Sequence, residues 1–364
     1  MKMTNLQVSL FKRDFSAALV LPVMPRVVSY SHAAIGGPKL AALEVVGDKK
    51  VLLSYLDRLR TPIEITDERG QKVWWGYIAE VRIKSGAVDI GVALDTMYNK
   101  VWVAYSLVEP GSQTVGTRAT TTAATDQISI DEYGYKELLA TLSGATTAQA
   151  EKVRDTLLAQ RKYPIPSVAQ AEEKGEDKVT LYCRGWWDTL GWRYYANANT
   201  GDVETTTQIA AIVTASGQFL LAADVEDASG ISSSEYRDGD TTALAEVLDL
   251  LKSTSGGSRL LTQVTSARRV RVFVEPLVTA FKYILKRDGT LTTKTGAKVE
   301  SYLCPVGAWV RVQDVVDYDL GLIADPSYFF IEEAEYSVAS DKLRLQPRGI
   351  PSTWDVLTQL RGAE

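Results

Sequence analysis

From Ile63 to Val103 apolar and polar residues alternate through four successive segments. They are Ile63 to Asp67 (IEITD), Lys72 to Ile83 (KVWWGYIAEVRI), Val88 to Leu94 (VDIGVAL) and Asp95 to Val103 (DTMYNKVWV). A period of two places every second side chain on one face, which is the pattern of a strand with one face buried. Glu68-Arg69-Gly70 and Ser85-Gly86 read as turns between them, and Gly76 as a bend or bulge. Turn signals about every ten residues predict an antiparallel meander of the kind that builds small barrels and sandwiches.

A second constraint is Val179 to Asn197, VTLYCRGWWDTLGWRYYAN. Val179, Leu181 and Cys183 alternate as a strand, and the chain then enters Trp186, Trp187, Leu190, Trp192, Tyr194 and Tyr195. Aromatic rings bury large areas and fix geometry where they pack. Such a density marks the centre of a domain core or a contact between subunits, where Trp and Tyr dominate binding energy. Trp74 and Trp75 carry the same two readings.

Elsewhere Leu6 to Phe11, Arg26 to Ser31 and Leu40 to Val46 read as strands, and Gly36-Gly37-Pro38 as a break. Leu52, Leu56 and Leu59 predict a short helix from Lys49, ended by Thr61-Pro62. Pro110 to Gln127 is rich in Thr, Ala, Gly and Ser and predicts an extended arm. Ser129 with Glu132 reads as a capping box opening a helix to about Leu142, and Thr146 with Gln149 opens another. The expectation is a helical hairpin, stopped by Tyr163-Pro164-Ile165-Pro166. Thr207 to Val213 and Gln218 to Ala223 read as strands, and Thr241 to Ser253 as a helix. Arg259 to Leu261, Val270 to Glu275, Phe281 to Lys286, Trp309 to Val316, Tyr328 to Val338 and Lys342 to Gln346 complete a second β-rich half. A helix followed by a meander in each half is a weak internal echo of two related β domains.

The chemistry of enzymes finds little purchase here. His32 is the one histidine, so a Ser-His-Asp triad or a zinc site would have to use it, and no GxSxG accompanies it. Phosphate-binding glycine loops are absent from the sequence. Cys183 and Cys304 stand apart with no CxxC and read as small buried hydrophobes. Neither Asp317-Tyr318-Asp319 nor Asp224-Glu226-Asp227 has the ligand spacing of a calcium loop. No catalytic, cofactor-binding or metal-binding residue is expected, nor an enzyme. The net charge of −5 argues against gripping nucleic acid through the overall field, and Arg268-Arg269-Val270-Arg271 reads as the solvent side of a strand. Neither a signal-peptide pattern nor an 18-residue apolar run occurs, so the expectation is synthesis in the cytoplasm without stable membrane association.

Several stretches resemble tail proteins of long non-contractile-tailed bacteriophages. They are Gly36-Gly37, the Leu52 to Leu59 helix, Ile63-Glu64-Ile65, Val73-Trp74-Trp75-Gly76-Tyr77-Ile78 and Leu94-Asp95-Thr96-Met97-Tyr98-Asn99. Ser129-Ile130-Asp131-Glu132-Tyr133-Gly134, Tyr163-Pro164-Ile165-Pro166 and the run from Cys183 to Tyr195 belong with them. The most similar role is the tail-tip or baseplate hub. The resemblance implies a β-rich α+β chain with two tube-protein-like antiparallel β-barrel domains and inserted helices. Three such chains would present six barrels, matching a sixfold tail tube on one side and a threefold spike or fibre on the other.

The implied domains are a first barrel at 1–108 and an arm with a helical hairpin at 109–175. An aromatic-rich connecting domain at 176–258 partly completes the first barrel, and a second barrel follows at 259–364. The implied partners are further copies in a homotrimer, the distal tail protein, the tail tube or tape measure protein, and tail fibre or spike proteins. The implied location is the virion tail tip, with DNA passing through transiently and without sequence preference. DNA must not adhere to the channel wall, so that wall should be neutral or acidic, with Asp314, Glu332, Glu333 and Glu335 as candidates. Two alternatives stay open: a hexameric distal tail ring, and a carbohydrate-binding or carbohydrate-active β protein using Trp74-Trp75 or Trp186-Trp187.

Overall fold

A computed structural model of the chain describes residues 5–108, 115–252, 254–255, 258–313 and 328–348. The first alternating segments become β1 (Gln7–Leu10), β2 (Arg26–Ala33), β3 (Gly37–Val46), β4 (Pro62–Thr66) and β5 (Lys72–Ala93). Next come β6 (Lys100–Val108), β7 (Val115–Thr120), β8 (Ala124–Thr125), β9 (Glu137–Ala145) and β10 (Ser167–Arg184). Six of these pair antiparallel in the order β1-β4-β5-β10-β3-β2. Their inward residues, including Leu43, Ile65, Trp74, Val81, Val179 and Leu181, are fully buried. Each large apolar side chain so placed contributes about 1.5–3 kcal/mol over leaving it in water. The expected helix from Lys49 divides into α1 (Lys49–Leu53), capped by the Asp48 side chain, and a 3-10 turn Leu56–Arg58. Leu52 and Leu59 still reach the core.

The expected turn at Ser85-Gly86 is instead a bend within one strand. Eighteen residues separate Tyr77 from Asp95, about 60 Å of extended strand. Yet the Asp95 carboxylate lies 2.7 Å from the guanidinium of Arg184, whose backbone pairs with Tyr77. The β5–β10 ribbon therefore leaves the sheet and doubles back. Gly86 supplies a φ of +57° at the slip in register. Val88 pairs with Gln170 and Gly86 with Gly175, so β10 takes five steps where β5 takes two. This extra length puts β10 on the outside of the bend.

Strand β6 centres a smaller layer, antiparallel to β7 and β8 and parallel to β9. Helix α2 (Gln127–Tyr133) precedes β9, and α3 (Thr147–Arg161) packs on β6 and β9 around Val103, Tyr105, Ala145 and Ala150. Two expectations are corrected here. Residues 109–114 of the Thr/Ala-rich arm lie outside the described residues, but the rest of it pairs with β6 rather than standing free. β-branched Val and Thr suit a pleated strand, and β6 offers the backbone partners. The helical hairpin does not form, because Gly134 ends α2 after seven residues at a φ of +82° and strand β9 separates it from α3. Asp126 rather than Ser129 caps α2, whereas the capping box of Thr146 and Gln149 forms as expected.

The remaining strands are β11 (Tyr194–Asn197), β12 (Asp202–Glu204), β13 (Leu221–Val225), β14 (Ser232–Ser234) and β15 (Arg237–Thr242). Beyond them lie β16 (Thr254–Ser255), β17 (Ser258–Val264), β18 (Arg269–Val274), β19 (Tyr283–Lys286) and β20 (Leu291–Thr293). The last are β21 (Trp309–Gln313), β22 (Tyr328–Ser337) and β23 (Lys342–Pro347). Thr207 to Val213, expected as a strand, lies in helix α4 (Thr205–Ser216). Ile209, Ile212, Val213 and Ser216 fall on its buried face at helical spacing, and Glu204 caps it. Helix α5 (Ala243–Leu250) matches expectation and is capped by Thr242.

Strand β22 pairs with β2, so the first sheet runs on through β21, β19 and β20, with β23 beside β22. The protein is a β-rich α+β chain. Strands expected in two separate barrels share one eleven-stranded sheet, and no sheet among the described residues closes into a barrel. The pairings are not all antiparallel either, since β13 runs parallel to β18 and β19 to β21.

Candidate assembly surface

The aromatic stretch forms an internal junction. After β10, Gly185 passes so close to β3 that an added Cβ would stand 1.8 Å from the Pro38 carbonyl oxygen. That approach lodges the 3-10 turn Trp186–Trp192 against the sheet. Trp186 lies 5.3 Å from Phe15, 5.1 Å from Tyr77 and 5.6 Å from Phe219, ring centre to ring centre. Trp192 meets Tyr77 and Phe219 edge-on. Trp74, Trp186, Trp187 and Trp192 are buried within the chain, while Trp75, Tyr194 and Tyr195 are half-buried. Tyr194 stands edge-on to Trp102, and Trp75 to His32. Neighbours on a strand point to opposite faces, so Trp74 and Trp75 offer no flat platform for a sugar ring.

Of the acidic candidates, Glu332 faces away from Glu333 and Glu335. Asp314 lies outside the described residues. A bulge between Ile331 and Glu333 turns Glu332 toward Arg259 and Arg348, which both pair with it. Glu333 pairs with Lys39 at 2.5 Å. Glu333 and Glu335 line a groove of about 340 Å3 on the sheet, together with Leu40, Tyr182 and Arg344.

The groups with chemical potential are sealed or neutral. His32 is buried, its Nε2 lies 2.8 Å from the Val73 carbonyl oxygen, and burial pushes its pKa down to about 4. Burial raises the thiols of Cys183 and Cys304, so both stay protonated and inert at neutral pH. Among the described residues no three His, Cys, Asp or Glu side chains gather to hold a metal ion. No helix among them is long and apolar enough to cross a membrane.

One surface feature stands out from this background. A cavity of about 630 Å3 opens between the segment 12–15, Arg60, α2 and the end of α4. The guanidinium of Arg268 lies 3.6 Å from the centre of the Phe15 ring and donates to the Phe219 carbonyl at 3.3 Å. Arg60 lies over the Phe219 ring at 5.0 Å and donates to the carbonyls of Arg13 and Glu132. Arg60 is 5% exposed and its Nε has no partner. Burial, then the neighbouring Arg13, lowers its pKa to about 10, and burial lowers that of Arg268. Among the described residues neither guanidinium comes within 4.0 Å of a carboxylate, whereas Arg13 pairs with Asp57 and Glu132. Phe15, Arg60 and Arg268 all have φ near +60°, three of the five non-glycine residues with positive φ among those described. Such backbone costs about 1–3 kcal/mol per residue and concentrates where a structure has a use for it.

This groove was not read from the sequence, because its members stand 45 and 208 positions apart. The one signal was the basic run at Arg268. Arg269 and Arg271 do face solvent, paired with Asp224 and Glu226, but Arg268 turns inward.

No family model and no curated protein matches the chain. Among solved structures, the tail protein from Neisseria meningitidis is 10% identical, with a TM-score of 0.44, over 95% of this chain and 97% of that one. The 43 kDa tail protein of prophage MuSo2 from Shewanella oneidensis is 8% identical, with a TM-score of 0.43, over 92% and 93%. The prophage tail protein gp18 from Listeria monocytogenes is 9% identical, with a TM-score of 0.43, over 98% of both chains.

Proposed function

We propose that this chain is a structural protein of a bacteriophage tail, and that its place is the trimeric hub at the tail tip. The observation that carries an assembly role is the doubled-back ribbon of β5 and β10. Among the described residues, β5 between residues 84 and 93 has β10 as its one strand partner, and β10 before Lys178 has β5 alone. A two-stranded ribbon is marginal in water without a further surface to pack on. Its open edges are templates for another chain. Val88 and Val168 are 43% and 72% exposed on it, and Ile165 just before it is 48% exposed. Of the motifs that resemble tail proteins, Ile63 to Ile65 and Val73 to Ile78 lie in β4 and β5, and the run from Cys183 to Tyr195 forms the aromatic junction.

The work of such a subunit is geometric rather than catalytic. Each copy offers complementary faces so that a closed ring forms. The ring joins the tail tube, the distal tail protein or the tape measure protein on one side to a fibre or spike on the other, and surrounds the DNA exit channel. The division at 108, 175 and 258 belongs to this reading. So does a channel wall carrying Glu333 and Glu335.

The deciding measurement is the copy number of this chain per particle, by mass spectrometry against an isotope-labelled standard and normalised to the major capsid protein. Three copies support the hub, six move the chain to the distal ring, and absence from particles removes the tail role.

A further inference from the structure

We propose that the segment Leu303–Val306 is an acid-sensitive strap over His32, closed while the imidazole is neutral and lifted when it takes up a proton.

The imidazole is committed to one tautomer. Its Nε2 lies 2.8 Å from the Val73 carbonyl oxygen, which can only accept, so Nε2 carries the hydrogen and Nδ1 is a bare acceptor. Nδ1 makes no hydrogen bond among the described residues. An added proton therefore goes to Nδ1. It creates an N–H without an acceptor and a charge on a side chain that is 8% exposed.

The surroundings offer that charge no free anion. His32 shares a cavity of about 420 Å3 with the strap, Lys72 of β5, Arg271 of β18 and Tyr283 of β19, and no carboxylate lines it among the described residues. Glu64 and Glu226 are engaged with Lys72 and Arg271 themselves. In the turn before β5, Asp67 accepts the N–H groups of Arg69 and Gln71 and, at 3.4 Å, the Tyr302 hydroxyl. On β2 the Tyr30 hydroxyl donates to the Tyr302 carbonyl, and on β22 Glu333 and Glu335 line the separate groove on the sheet. Burial accordingly pushes the pKa of His32 down to about 4. Water is the remaining way to solvate the imidazolium, and it must enter past one wall.

The strap is the wall least held. From Leu303 to Val306 its backbone makes no hydrogen bond to a strand among the described residues. The N–H groups of Leu303 and Cys304 turn back to Glu300 and Ser301, and Pro305 has none. Cys304 sits at a φ of +44°, which side chains rarely adopt. Gly307, at a φ of +67°, ends the segment where its N–H joins the Ile331 carbonyl at 3.0 Å. Lys72, Arg271 and Tyr283 sit instead on paired strands. Opening a short segment of this kind costs less than unfolding a sheet.

The chain carries its own reporters. Cys304 is buried in the strap, Cys183 is buried in β10 within the sheet, and His32 is the sole histidine. The test is the reaction of both thiols of the full-length chain with 4,4′-dithiodipyridine from pH 7 to pH 4.5, resolved by peptide mass spectrometry and normalised to a free cysteine peptide. The opened form binds the proton at the ordinary 6.5 and the closed form at about 4, so Cys304 should gain about tenfold or more in reactivity between pH 6.5 and 4.5. Cys183 should stay unreactive. His32→Gln keeps a donor for the Val73 carbonyl but takes up no proton, and should abolish the gain. Nuclear magnetic resonance of labelled histidine follows the native imidazole directly should that variant fail to fold, and should place its titration well below 6.5. A flat Cys304, a Cys183 that rises with it, a gain retained in His32→Gln, or an imidazole that titrates at 6.5 in the folded chain each overturns the proposal.

Discussion

The Arg184 guanidinium and the Asp95 carboxylate meet at 2.7 Å although a ribbon bend separates them along the chain. Arg184 closes β10 against Tyr77, and Asp95 is the second residue of the 3-10 turn Leu94–Thr96, where the ribbon has returned. The ion pair marks the base of the ribbon but does not hold it. Both partners are substantially exposed, and exposed pairs contribute about 0–1 kcal/mol. Leu94 and Met97, both fully buried beside it, do the holding.

Asp95→Asn should therefore lower stability by less than about 1 kcal/mol. Leu94→Ala should cost about 2–5 kcal/mol. Chemical denaturation of the two variants distinguishes them; equal losses would assign the clasp to the ion pair.

Gly86→Val should loosen the ribbon without unfolding the sheet. No atom lies within 4 Å of the added Cβ, so the penalty is the positive φ alone, which β-branched residues tolerate poorly. Amide exchange should quicken across residues 84–93 and stay slow in β3 and β4. Uniform acceleration would mean that the bend is integral to the core.

His32 makes the fold acid-sensitive. Its folded pKa of about 4 lies below the ordinary 6.5, so between these values the unfolded chain binds the proton more readily. Stability from this group is complete above pH 6.5 and is lost as pH falls toward 4. A tenfold change in proton affinity is worth about 1.4 kcal/mol, so the whole loss is about 3 kcal/mol. His32→Gln should flatten the denaturation midpoint over this window. An unchanged slope would place the acid sensitivity elsewhere.

Lys136 acts with the same sign in a higher pH window. It is buried, donates to the Leu94 carbonyl, and lies 5.3 Å from the Tyr98 ring and 5.5 Å from Trp192. Burial lowers its pKa to about 8 from 10.5, with nearby Asp95 opposing. Between these values the unfolded chain holds the proton that the folded chain has released, so stability rises with pH from about 8 upward. Lys136→Met should remove this rise, so that its stability relative to the native chain is greater at pH 7 than at pH 9. Midpoints measured at both pH values in both proteins check it; a wild-type midpoint that falls between them refutes it.

Strands with a solvated face were legible in the residues, because alternation reports a face directly. This covers β2, β4, the first half of β5, β18, β22 and β23. Three elements were misread for separable reasons. α4 is dense in Thr, Val and Ile, so local propensity argued for strand while the spacing of Ile209, Ile212 and Ser216 already held the helical period. β9 contains Leu and Ala and follows a helix start, yet its pairing with β6 overrode helix propensity. At Gly86 a turn signal was real but bent two strands together rather than joining them. The groove left almost no trace, since positive φ at Phe15, Arg60 and Arg268 has no glycine to announce it.

The aromatic junction gives the strongest stability prediction. Trp186 touches rings from the segment after β1, from β5 and from the end of α4, so it ties the sheet to the helical half. Trp186→Ala removes the largest of these rings from a site 3% exposed and should cost about 3–5 kcal/mol. Gly185→Ala removes no contact but drives a methyl group into the Pro38 carbonyl, so β3 or the turn must move. Should the junction be the cooperative centre, both variants will unfold sheet and helices together, with one midpoint by far-ultraviolet dichroism and by tryptophan emission. Should the halves fold independently, the emission transition will shift and the β signal will remain, leaving two midpoints where the native chain has one.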